Sequence, residues 1–140
     1  AYDAKHDYYD ELTSHVVPAL IKKNIEQPVI QIWGNGDQRR EFLNAKDAAV
    51  GIMLVTEKGA GAGAINIGSG SNVSINELND LIQDILGTHK PVEHIFTKPV
   101  GHQERLADNS KLKRICGWVP EMLLRDGLEE MIAEYIKTRG

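Results

Sequence analysis

The chain is 140 residues long, enough for one domain with a substantial core, since domains of this size hide about two thirds of their unfolded surface. Its residues are 41% apolar and 26% charged, with both signs mixed along the sequence, which excludes a disordered or fibrous protein. A formal net charge of -4 excludes a general nucleic-acid or membrane surface, because those depend on clustered Lys and Arg, so any anion site must be local. Cys116 is the only cysteine and rules out an intramolecular disulfide. With no signal peptide or long apolar span in view, the expected address is a reducing cytoplasm.

The first ten residues, AYDAKHDYYD, lack a sustained period and read as loop, which we extend to residues 1–12 of a single 1–140 domain. From Ser14 the pattern SHVVPALIKKN predicts a helix that Ser14 caps, with Pro18 in or near the first turn, where a missing N–H costs little. Lys22 and Lys23 fall in its expected last turn, where cations suit the helix dipole. After Pro28, VIQIW has strand composition and ends at a Gly34–Gly36 turn. A strand, a polar loop and a second helix from about Asp47 to Thr56 follow.

Lys58 to Gly63 reads as a flexible connection and AINIG, residues 64–68, as a short buried strand. Ser74 and Glu77 have the spacing of a capping box, and Ile75, Leu78, Ile82 and Ile85 repeat at helical spacing until Gly87. PVEHIF predicts another strand, and a short helix from about Asn109 to Cys116 stops at Gly117. The last helix puts Leu124, Leu128, Met131, Ile132 and Tyr135 on one face. Interleaved strands and helices make the class α/β, or mixed α+β.

Chemistry concentrates in GNGDQRREF, Gly34 to Phe42. Two glycines one residue apart let the backbone turn tightly and approach a ligand, and Arg40 beyond them offers planar paired donors that fit a diphosphate. The competing reading is a strand-ending turn with solvated charges, and spacing alone leaves both open. His6, His15, His89, His94, His102 and Cys116 show no paired spacing suited to zinc. Ser69 lacks the strand-elbow-helix context of a hydrolase nucleophile, and Cys116 reads as a small core residue. No catalytic residue is assigned.

Taken in order, these motifs resemble a known family. Trp33-Gly34-Asn35-Gly36-Asp37-Gln38-Arg39-Arg40-Glu41-Phe42, Asp47 at a helix start, Asn66-Ile67-Gly68-Ser69-Gly70, Ser74-Ile75-x-Glu77-Leu78, Arg105-x-x-Asp108, Ser110-Lys111-Leu112, Gly117-Trp118-x-Pro120 and Gly127-Leu128 are similar to the C-terminal part of the extended short-chain dehydrogenase/reductases, the nucleotide-sugar epimerases, dehydratases and reductases. Ser14 to Ile21 resembles the matching helix of GDP-fucose synthase-like and GDP-mannose dehydratase-like members. The resemblance spans about Thr13 to Tyr135.

It implies that Arg40 and Arg105 approach a nucleotide diphosphate, joined by Lys22 or Lys23, and that Ser14, His15, Val16 and Val17 lie where the family closes over the sugar. Trp33 and Gly34 fall near the nucleotide base, although a packed strand-end aromatic explains Trp33 equally well. Asp47, Asn66, Trp118 and Pro120 read as structural.

The family's hydride chemistry also needs a glycine-rich strand-to-helix turn for NAD(P) and a Tyr-x-x-x-Lys pair. Gly59-x-Gly61-x-x-Ala64 follows a helix and precedes a strand, the reverse of the required context, and Tyr2, Tyr8 and Tyr9 have no Lys four residues on. The chain therefore reads as a substrate-binding portion without the Rossmann half, binding no cofactor by itself. The expected partners are a nucleotide diphosphate sugar and either a second copy or the missing half. A repurposed domain with a structural or assembly role is the alternative, suggested by Asp3-Ala4-Lys5 and Asn44-Ala45-Lys46, where the family has other residues.

Overall fold

The structure, a computed structural model, describes Tyr2 and residues 15–97 and 104–139. Its helices are α1 (Val16–Glu26), α2 (Ala45–Lys58), α3 (Ile75–Leu86), α4 (Ser110–Cys116) and α5 (Leu124–Arg139), and its strands β1 (Ile30–Trp33), β2 (Arg39–Glu41), β3 (Asn72–Ser74) and β4 (Val92–Ile95). β1 and β4 pair in parallel, with Ile30 opposite Val92 and Trp33 opposite Ile95. β2 and β3 pair antiparallel, with Arg40 opposite Val73 and Glu41 opposite Asn72. The mixed α/β class holds.

α3 organises the core. Ser74 Oγ accepts from Glu77 N at 3.0 Å while Ser74 N donates to Glu77 Oε2 at 2.8 Å, so the capping box closes in both directions. Ile75, Leu78 and Ile82 are buried on the inner face, and Gly87 ends the helix in the left-handed region at φ 65. α1 packs on this face through Val17, Leu20 and Ile21, α5 through Leu128, Met131, Ile132 and Tyr135, and β1 through Ile30 and Ile32. The Asn24 side chain donates to Leu20 O and to Asn79 Oδ1, a buried polar link between α1 and α3.

The Ser74 N–H first, and Arg39 second, hold the Glu77 carboxyl below the ordinary glutamate range. A folded value below the unfolded one means that this stabilisation is fully present above the unfolded value, about 4.3, and is lost as the pH falls through the folded value. Thermal melts from neutral to acid pH should show Glu77→Gln flattening that acid limb, and Ser74→Ala should cost about 1 kcal/mol at neutral pH.

Several sequence expectations need correcting. The first helix is capped at His15, in extended conformation and without a side-chain cap bond, not at Ser14, which lies outside the described residues. It runs on to Glu26, so Lys23 but not Lys22 is in its last turn. The extension is held by Lys90, whose Nζ donates to Asn24 O and, at 2.8 Å, to Gln27 O, satisfying terminal carbonyls of α1. The second helix starts at Ala45 under an Asn44 cap, and Asp47 lies in its first turn, where its carboxylate accepts the N–H groups of Glu121 and Met122.

AINIG forms no strand. Asn109 instead brackets Gly68, accepting from its N–H at 2.9 Å and donating to its carbonyl at 2.7 Å, and Lys111 Nζ donates to Ala62 O and Ala64 O. Side chains thus replace a ladder. Tyr2 is also not loose loop: it is buried, bridges to Asn44, and exchanges backbone bonds with Leu43 and Ala45. Its burial, the largest effect, raises the phenol's pKa. The rest of the expected loop at residues 1–12 lies outside the described residues.

Candidate functional site

The turn at Gly34–Gly36 is built for close approach. Gly34 and Gly36 have φ 69 and 76, the left-handed region that favours glycine. Asn35 Oδ1 accepts from Asp37 N, and Asn76 at the start of α3 donates to Asn35 O and Asp37 Oδ1, so a methyl group on Gly36 would collide with the Asn76 carboxamide. This packing fixes where β2 begins.

β2 then separates the arginines. Neighbouring strand residues face opposite sides. Arg39 bridges Glu77 at 3.0 Å and donates to the side chain and carbonyl of Asn72, which ties β2 to β3 and α3. Arg40 donates to Arg39 O and lines a cavity of about 120 Å³ with Phe42, Ser69, Ser71, Pro120 and Leu124. That is below the about 300 Å³ usual for sites that enclose a whole small ligand.

Glu41, which the sequence reading left without a role, organises the surrounding loops. Its Oε1 accepts from Gly70 N at 3.0 Å and its Oε2 from Ala107 N at 2.8 Å. Gly68 packs so closely that a methyl group there would strike the Glu41 carboxylate. Asn72, across the ladder from Glu41, donates to Glu104 Oε1 at 2.8 Å. The stretch from Glu104 to Ala107, with exposed Arg105 inside it, is thereby fastened to the ribbon that carries Arg40. The one available signal for Glu41 was a carboxylate directly after the two arginines. At the end of this stretch Asp108 accepts from Ser110 N at the start of α4, and hydrogen bonds from Ser110 hold its carboxyl below the ordinary aspartate range.

The other candidates lie elsewhere. Lys23 Nζ donates to Gln31 O on β1 at 3.0 Å, and Lys22 sits half-buried on α1. Trp33 is 45% exposed at the end of β1, Gly34 follows it, His15 caps α1, and half-buried Val16 packs on the core. None of them lines the Arg40 cavity, and neither does Arg105. Ser69 Oγ donates to Ser71 O, a turn role, and Cys116 is buried. Trp118 and Ile67 pack so closely on Gly51 of α2 that a methyl group there would crowd both, in keeping with a structural Trp118. Among the described residues no group of three His, Cys, Asp or Glu side chains is placed to hold a metal, and no helix is long and apolar enough to cross a membrane.

The glycine segment 59–63 does not fit a dinucleotide. Gly59 ends α2, Gly61 and Gly63 follow at φ 77 and 70, and an extended segment comes next, so no helix N-terminus stands behind these glycines to receive a pyrophosphate.

Comparison with known proteins finds relatives along nearly the whole chain. The sequence profile described as the NAD dependent epimerase/dehydratase family matches residues 4–68. GDP-L-fucose synthase 1 of Arabidopsis thaliana is 36% identical over 138 residues, which are 95% of this chain and 42% of that protein. GDP-L-colitose synthase of Yersinia pseudotuberculosis is 32% identical, over 97% of this chain and 46% of its own length. The chain thus spans less than half the length of these relatives. Among solved structures, a UDP-glucose 4-epimerase from Thermotoga maritima, determined with UDP-glucose, superposes with a TM-score of 0.87 at 25% identity over 99% of this chain and 44% of that one.

Proposed function

We propose that this chain, which belongs to the NAD-dependent epimerase/dehydratase family and matches the C-terminal part of its extended short-chain dehydrogenase/reductase members, grips a nucleotide diphosphate sugar. The carrying observation is the placement of the two arginines of β2: Arg39 bridges Glu77 and Asn72 away from the cavity, and Arg40 lines the cavity. Arg40 and Arg105, arriving from separate elements, would neutralise a diphosphate carrying about two negative charges. Lys22 or Lys23 would join from α1, and Ser14, His15, Val16, Trp33 and Gly34 would contact the sugar and base ends. The names of the relatives, which specify GDP-L-fucose and GDP-L-colitose, support a GDP-sugar first and a UDP-sugar second.

In a complete family member the reaction would be an NAD(P)-dependent change at the sugar ring: oxidation, rearrangement, then reduction or loss of water. This chain would supply diphosphate grip and sugar specificity, and a cofactor-binding half would supply hydride and proton transfer. Calorimetric titration with GDP-mannose, GDP-fucose and UDP-glucose at low salt tests the reading, because a diphosphate contact is strongest there. Saturable binding of one supports it, and silence from all three refutes it.

One observation favours a second reading, an assembly role without ligand. In α2 only Gly51 is buried, and Val50, Ile52 and Met53 are 42%, 59% and 70% exposed, an apolar face of the kind that marks interfaces. Either reading expects this face to be covered, by a second copy or by a cofactor-binding half. Light scattering at micromolar concentration should show a dimer or larger species; a strict monomer would remove self-association.

A further inference from the structure

The geometry points to Glu41 as a positioning residue that holds Arg105 in place for the anion on which Arg40 acts; the inference rests on the nucleotide-diphosphate reading above. Arg105 lies in a stretch without regular secondary structure that is fastened on either side of it, upstream through a side chain and downstream through a backbone N–H. Upstream, Glu104 Oε1 accepts from Asn72; downstream, Ala107 N donates to Glu41 Oε2. Both fastenings end on a single rung of the β2–β3 ladder, the Glu41–Asn72 pair, next to the rung that carries Arg40. A guanidinium from a loop loses much of its grip to disorder, since a long side chain on a mobile backbone pays the ordering cost when the ligand arrives. Fastening the backbone two residues away removes part of that cost beforehand.

The chemistry requires a carboxylate at this position. Glu41 takes the Gly70 and Ala107 N–H groups on different oxygens, so a glutamine of the same shape would satisfy one and turn its own N–H₂ toward the other. Gly68 lets the Glu41 carboxylate come this close, since a methyl group there would strike it. Glu41 therefore ties two loops, 68–70 and 104–107, to the strand that bears the first arginine. It touches no ligand in this account and acts through Arg105.

The test is a double-mutant cycle on the 140-residue chain with GDP-mannose and UDP-glucose as probes, combined with amide exchange on the free protein. Arg105→Ala should weaken binding about 10-fold in the parent and less than about 2-fold in Glu41→Gln, because the arginine there is already mispositioned. Exchange at the Ala107 amide should speed up about 10-fold in Glu41→Gln while that at Leu78 stays slow. Fully additive losses, or an unchanged Ala107 amide in a folded Glu41→Gln protein, would overturn the inference. A parent that binds neither probe overturns the diphosphate reading, and with it Glu41's purpose, whereas a bound parent with additive losses overturns only the role given to Glu41.

Discussion

Replacing Arg40 by alanine is expected to lower affinity for a nucleotide diphosphate sugar by about 10- to 100-fold while costing less stability than Arg39→Ala. The size follows from the loss of charge-assisted bonds to an anion, worth about 1.5–3 kcal/mol each, with about 1.4 kcal/mol for every tenfold in affinity. The selectivity follows from position. Arg40 lines the cavity beside Ser69 and Ser71 and donates to Arg39 O. Arg39→Ala should do the opposite, because Arg39 joins β2 to Glu77 and to Asn72 and makes no part of the cavity wall. Arg40→Lys would keep the charge but lose the planar fork, so it should fall between parent and alanine. Calorimetry and melting curves on the three variants check this. Equal affinity in the parent and Arg40→Ala would remove Arg40 from the site.

Leu78→Ala should cost about 2–5 kcal/mol, the largest stability loss of the substitutions considered. Leu78 has no exposed surface and lies in the one cluster that α1, α3, α5 and β1 share. Removing its side chain leaves a void that rigid neighbours fill only in part. Against a usual total of about 5–15 kcal/mol the loss is severe, and it should lower the denaturant midpoint with little change in slope. Ile52→Ala on α2 is the contrast: Ile52 is 59% exposed, and the change should stay within about 0.5 kcal/mol in the isolated chain.

The parts of the fold legible in the sequence are those whose signals are local. α3 carries its start in Ser74 and Glu77, its buried stripe in Ile75, Leu78 and Ile82, and its stop in Gly87, and all are found where expected. The turn at Gly34–Gly36 and the burial of Cys116 are likewise read from neighbours alone. What fails depends on distant partners. AINIG has strand composition, but a strand needs another strand, and here Asn109 and Lys111 reach across more than 40 residues to satisfy its backbone. Ser14 looks like a cap, yet the backbone leaves the helical region at His15.

The site divides in the same way. Two adjacent arginines are visible in the sequence, but which one faces a cavity depends on the pleat of β2 and on Glu77 being near Arg39. The link from Lys23 to Gln31 and the fastening of Arg105 through Glu41 and Asn72 come only with the tertiary structure.

The most direct test of the central claim is a residue-by-residue map of where a nucleotide sugar touches the chain. Amide resonances of the labelled protein, followed through titration with GDP-mannose and UDP-glucose, should move most for residues 39–42, 69–73 and 105–107. Movement confined to the glycine segment 59–63, or none at saturating ligand, would contradict the account.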